Sequence, residues 1–107
     1  MSENREYCER IVKEIEEYAA GKMVDDDGNQ LGLYDYLADV LDYEFTIDSR
    51  KEYVSAKIWV TLGGPNIWID TAERAVKLAW GADREEYPLG WDVCDEIDDI
   101  MREIYKC

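Results

Sequence analysis

The sequence predicts an α+β domain: an antiparallel three- or four-stranded meander packed with an N-terminal and a C-terminal helix, in the order α-α-β-β-β-(β)-α. Three observations predict it. Apolar residues recur at helical spacing at both ends of the chain. Between them, from Tyr43 to Asp70, the apolar period falls to two. Turn residues separate the period-two runs. The 107 residues fit one domain, 1–107. Apolar residues are 47% of the chain, with four Trp and eight Tyr, which is too rich in aromatics for a disordered acidic segment.

Residues 3–20 read as the first helix. Cys8, Ile11, Val12, Ile15, Tyr18 and Ala19 follow one stripe, and Gly21 stands where a helix-ending glycine is expected. Asp25, Asp26, Asp27, Gly28 and Asn29 compose a turn. A short helix follows near Tyr34–Leu41, with Leu33, Leu37, Val40 and Leu41 facing inward. Tyr43, Phe45 and Ile47 then alternate with Glu44, Thr46 and Asp48 as a strand, closed by a turn at Asp48–Lys51. Tyr53–Leu62 is the clearest strand. Val54, Ala56, Ile58, Val60 and Leu62 share one face; Tyr53, Ser55, Lys57, Trp59 and Thr61 share the other. Gly63–Asn66 is a tight connection to a third strand at Ile67–Asp70. Residues 72–80 favour helix by propensity and strand by alternation of Val76, Leu78 and Trp80; the hairpin potential of Asp70–Arg74 and the stop at Gly81 select the strand. Residues 81–91 read as a loop. Val93, Cys94, Ile97, Ile100, Met101 and Ile104 form the stripe of a last helix, Trp91–Tyr105.

Charge is the outlying property. Twenty-six acids face twelve bases, a formal −14. Such a surface repels nucleic acid and anionic membranes and favours encounter with basic partners. No apolar run approaches the roughly 18 residues of a membrane span. Met1 to Gly21 carries nine charges and no apolar run, which predicts no secretory leader there and a cytoplasmic protein. Cys8, Cys94 and Cys107 are too few and too far apart for a disulfide framework. A monomer or weak homodimer is expected.

Catalytic signatures are missing. Without histidine, neither Ser–His nor Cys–His catalysis can be assembled, and the commonest metal ligand is gone. No zinc spacing occurs, and Gly63-Gly64-Pro65 lacks the Lys-Ser/Thr of a phosphate loop. An EF-hand loop placed on Gly28 would run from Met23 to Tyr34, and neither end supplies a carboxylate. Weak divalent binding and a carboxylate-only enzyme stay open; no catalytic residue, cofactor or metal site is assigned.

The acids are unevenly spread. Residues 21–50 hold eight acids against two bases, and residues 91–107 six against two, while 51–70 balance. Asp92, Asp95, Glu96, Asp98, Asp99 and Glu103 occupy the surface of the last helix. Asp92, Asp95, Asp99 and Glu103 fall at helical spacing, so neighbours in that row lie about 5–6 Å apart. Asp25, Asp26, Asp27, Asp35, Asp39 and Asp42 form a second cluster, with Asp35, Asp39 and Asp42 again at helical spacing. Two anionic rows suit a nucleic-acid mimic, which enters a basic groove in place of phosphates. The expected partner is a basic nucleic-acid-binding protein, with no direct nucleic-acid binding. The bland alternative is two solvated faces. Tyr53, Trp59 and Trp68 are a second candidate site: either a helix or loop covers them, or they form an exposed aromatic patch for a protein partner.

The run Gly63-Gly64-Pro65-Asn66-Ile67-Trp68-Ile69-Asp70-Thr71, with Trp80-Gly81-Ala82-Asp83-Arg84 and Tyr87-Pro88-Leu89, resembles small proteins carried on mobile elements of Firmicutes and gut bacteria, over roughly residues 33–107. That resemblance brings no catalytic residues with it. In size, acidity and helix–sheet–helix order the chain is also similar to phage anti-CRISPR inhibitors of Cas9. This second likeness implies a non-enzymatic inhibitor of a host nuclease, Cas9 or a restriction enzyme.

Overall fold

A computed structural model describes residues 2–40 and 42–107. The inward placement expected of Leu41 lies outside the described residues. The elements run α1 (Ser2–Ala19), β1 (Met23–Val24), β2 (Gln30–Leu31), α2 (Leu33–Ala38), β3 (Asp42–Ile47), β4 (Tyr53–Thr61), β5 (Asn66–Asp70), β6 (Ala75–Trp80), β7 (Asp83–Pro88) and α3 (Trp91–Lys106). Strands β3 to β7 form one antiparallel sheet in sequence order, and β1 and β2 a separate two-stranded hairpin. The architecture is α+β, with a five-stranded meander where three or four strands were expected.

The helices lie on one side of the sheet. Cys8, Ile11 and Ile15 of α1, Leu33 and Leu37 of α2, and Cys94, Ile97 and Met101 of α3 meet Ala56, Ile58, Ile67, Ile69, Val76 and Leu78 of the sheet in one buried core. Gly21, at φ 74, ends α1 in the left-handed conformation that a glycine adopts without a Cβ clash. Its carbonyl accepts from the Gln30 side chain at 2.8 Å, tying the small hairpin to the helix end.

Residues 75–80 are a strand, in agreement with the alternation of Val76 and Leu78. The preceding turn is closed by Asp70, whose carboxylate accepts the Glu73 amide at 3.0 Å. Residues 83–88 differ from the expected loop: they are the edge strand β7, paired with β6 from Ala75↔Pro88 to Trp80↔Asp83. Asp-Arg-Glu-Glu-Tyr-Pro offers one large apolar side chain, Tyr87, so its hydrophobic pattern is almost blank. An edge strand tolerates that composition because it needs only one neighbour's hydrogen bonds.

The second difference is a bulge. Thr46 pairs with Ser55, but Ile47 pairs with Tyr53, which leaves Val54 as an extra residue in β4. Val54 is pushed into solvent and the alternation is reset. Tyr53 therefore sits on the helix side with Phe45 and Tyr105, not on the open face with Trp59.

Candidate functional site

The last helix places its acids unequally. Asp92, Asp95, Glu96, Asp99 and Glu103 are exposed, as the stripe of inward residues requires. Asp95 accepts from the Arg74 guanidinium at 3.3 Å, and Asp99 from Arg102 at 3.1 Å. Arg74 also stacks on Trp91, with its Cζ 3.8 Å from the ring centroid. Both ion pairs are solvent-facing and worth little to stability, and they leave Asp92, Glu96 and Glu103 as the unpaired acids of the helix among the described residues. Asp98 is different. It is half-buried and accepts the Tyr53 hydroxyl at 2.6 Å. It belongs to the helix–sheet contact rather than to the outer row.

The 25–42 segment divides in the same way. Asp25 Oδ1 accepts the amides of Asp27 at 2.9 Å and Asn29 at 2.8 Å, which builds the turn between β1 and β2. The Asn29 amide is the main reason the Asp25 carboxyl titrates below the usual range. Asp35 accepts the Gly32 amide at 2.8 Å at the start of α2. Asp26, Asp27 and Asp39 are exposed and have no hydrogen bond or ion pair from their side chains among the described residues. The expected row Asp35, Asp39, Asp42 is not continuous. Helix α2 ends at Ala38, and Asp42 opens β3, paired with Trp59 and so on the sheet face away from the helices.

The structure adds acids that the sequence reading left out. Glu3, Glu6, Glu9, Glu14 and Glu16 are exposed on α1, which packs beside α2 and α3 on the same side of the sheet. Their signal was present as the complement of the α1 stripe. What the sequence lacked was the juxtaposition of the two terminal helices. Residues 42–90, the sheet and its turns, hold nine acids and six bases, whereas the rest of the chain holds seventeen and six. The net charge is thus segregated onto the helix layer.

The opposite sheet face carries the other candidate. Trp59 and Trp68 pair across β4 and β5 with ring centroids 4.9 Å apart at 40°. Both are half-buried by each other and by their sheet neighbours; no helix covers them among the described residues. Lys77, beside Trp68 on β6, lies 3.5 Å from Glu86, 3.8 Å from Asp70 and 3.9 Å from Glu73. The Trp68 indole N–H is buried and has no acceptor. Tyr53 is not part of this patch, because of the Val54 bulge.

Cys8 and Cys94 are buried, and burial is the main reason their thiols are pushed up to about 11; Cys107 is exposed. Among the described residues no three His, Cys, Asp or Glu side chains are arranged to hold a metal ion. No described helix is long and apolar enough to cross a membrane. Comparison with known proteins finds no matching family model, no matching curated protein and no matching solved structure.

Proposed function

We propose that this chain is a non-enzymatic binding protein that presents an anionic helix layer to a basic, nucleic-acid-binding partner and competes there with phosphate. The observation that carries the reading is the segregation of charge. The helices and the small hairpin hold seventeen acids and six bases, and several of those acids, Asp26, Asp27, Asp39, Asp92, Glu96 and Glu103 among them, are exposed without an ion pair among the described residues. Uncompensated like charges cost the free protein stability, and a basic groove relieves that cost. A nuclease such as Cas9 or a restriction enzyme fits this chemistry, in the manner of anti-CRISPR and anti-restriction inhibitors.

The test is competition with DNA. Binding to a purified nuclease, measured at rising salt, is expected to weaken steeply, because exposed charges are screened within about 8–10 Å at physiological ionic strength. Reversing Asp92, Glu96 and Glu103 to Lys is expected to weaken it by at least about tenfold, through loss of attraction and gain of repulsion. Binding that ignores both salt and these reversals would overturn the reading.

A second reading rests on Trp59 and Trp68. A tilted indole pair on a sheet face that no helix covers suits an apolar or aromatic surface of a protein partner. Here Trp59→Ala abolishes partner binding and the charge reversals leave it intact.

A further inference from the structure

The two edges of the sheet are built differently. Edge β7 is blunted. It carries Asp83, Arg84, Glu85 and Glu86, ends in Pro88, and turns Glu85 toward the helix side, where it accepts the Tyr87 hydroxyl. Charges, an inward acid and a proline are the devices that stop a sheet edge from recruiting another strand. Edge β3 has no proline, no lysine and no inward charge. Its inward row is Tyr43, Phe45 and Ile47, of which Tyr43 is 40% and Ile47 43% exposed because the helix layer stops short of this edge. A shallow cleft of about 380 Å³, lined by Tyr34, Leu37, Val40, Tyr43 and Ile104, continues the apolar strip.

The hydrogen-bonding direction of β3 is set by two contacts. The Asp48 amide donates across the hairpin to Glu52 O at 3.0 Å, so even-numbered amides face β4. The Tyr43 amide instead donates to its neighbour's carboxylate, Asp42 Oδ1, at 2.8 Å. By alternation the amides of Tyr43, Phe45 and Ile47 point to the free edge. The bulge does not disturb this, since its extra residue lies in β4.

We infer that β3 pairs with β3 of a second copy of this chain, antiparallel about a two-fold axis at Phe45, joining two five-stranded sheets into one of ten strands. Residues facing each other across an antiparallel pair must share a sheet face, so the paired numbers sum to an even value. A sum of 88 sets Glu44 against Glu44. A sum of 90 sets Phe45 against Phe45, Tyr43 against Ile47 on both sides, and Glu44 against Thr46. Every apolar side chain then meets an apolar one, and Glu44 meets no like charge. On each edge the three carbonyls and the amides of Phe45 and Ile47 find partners, and the Tyr43 amide exchanges Asp42 Oδ1 for a carbonyl of the second copy. Asp42 faces Asp48 at both ends of the ladder, two symmetry-related unfavourable pairs. Such isologous closure uses up the open edge and leaves the acidic helix layers of both copies exposed. A second copy is the chosen occupant because the edge is complementary to itself in this register, which sets all three of its apolar side chains against apolar ones.

Salt separates this inference from the proposed function. Two chains of −14 repel, so self-association should strengthen as salt rises toward about 1 M, where the screening length is about 3 Å. Nuclease binding weakens under the same change. Sedimentation equilibrium from micromolar to millimolar protein is expected to show a mass doubling, with an association constant at least about tenfold larger at high salt. Tyr43→Pro removes an outward donor without touching the β3–β4 ladder. It should keep the monomer's circular dichroism and lower the association constant by about tenfold or more. The register is read by cross-linking in a Cys107→Ser background. Glu44→Cys combined with Thr46→Cys is expected to give a disulfide-linked dimer on mild oxidation, and Glu44→Cys alone is not. A chain that stays monomeric at every salt and protein concentration overturns the inference, and so does equally efficient cross-linking by Glu44→Cys alone.

Discussion

The Tyr53 hydroxyl donates to the Asp98 carboxylate at 2.6 Å, joining the first residue of β4 to the middle of α3 across 45 positions of sequence. The Arg102 guanidinium lies over the same ring, 5.1 Å from its centroid. The contact exists only because the Val54 bulge turns Tyr53 toward the helices.

Replacing Tyr53 by Phe keeps the ring and removes the donor. Asp98 is then left half-buried without it. The expected cost is about 1.5–3 kcal/mol, the range for a hydrogen bond to a charged group. Urea denaturation should show a lower midpoint at unchanged slope.

Alkaline pH should expose a shared property of three tyrosines. Burial is the main reason that Tyr53 and Tyr36 titrate well above the usual value, and that Tyr87 is pushed up to about 12; the Asp98 and Glu85 carboxylates add to this for Tyr53 and Tyr87. A raised folded-state pKa means the folded protein holds protons that the unfolded chain releases near pH 10. Stability from these groups is complete below about pH 10 and is lost as pH climbs through the raised values. Denaturation midpoints should be flat from neutrality to about pH 8, start to fall at about pH 9 as the unfolded chain's thiols ionise while Cys8 and Cys94 hold their protons, and fall more steeply beyond about pH 10 as the tyrosines join. A phenolate absorbance titration should leave part of the tyrosine signal unionised at that point.

Lys51 sits at φ 64 in the turn between β3 and β4. Its side chain is exposed, and its carbonyl accepts the Tyr105 hydroxyl at 2.7 Å. Lys51→Gly keeps that carbonyl and relieves a left-handed conformation costing about 1–2 kcal/mol. Greater freedom of the unfolded chain offsets part of this. A net gain of about 0.5 kcal/mol in thermal or urea denaturation is expected.

Thiol labelling should be all-or-none. Cys107 is exposed, while Cys8 and Cys94 are buried and hold their protons to about 11. One thiol of the three should react quickly with a disulfide reagent in the native protein, and the other two only after denaturant is added.

Periodicity made α1 and α3 legible, because each sets a full apolar face against the core, and in β4 it held for the middle of the strand, where Ala56 and Ile58 are buried while Val54 and Leu62 are exposed. It failed where packing on one face is weak. In β7, Tyr87 is the one large apolar side chain, and a period cannot be read from one residue. The Val54 bulge inverted the reading of Tyr53, since a phase shift in β4 depends on how β3 lines up with it. For the candidate site, exposure of Asp92, Asp95, Glu96, Asp99 and Glu103 followed from the stripe they leave behind. The engagement of Asp98 did not, because its partner lies 45 residues away. Asp25 and Asp35 make bonds within a few residues, and their roles in a turn and a helix start are of the kind acidic side chains commonly fill.

The strand order β3-β4-β5-β6-β7 also bears on how the chain reaches its fold. Each strand pairs with its neighbour in sequence, so the sheet can zip up hairpin by hairpin with short loops to close. The distant step is the meeting of α1 with α3, which brings the two ends of the polypeptide together. Until the two helices meet, Ile58, Ile67, Ile69 and Leu78 of a formed sheet lack part of their cover, and mutual repulsion of the acidic chains is what keeps such half-covered sheets apart.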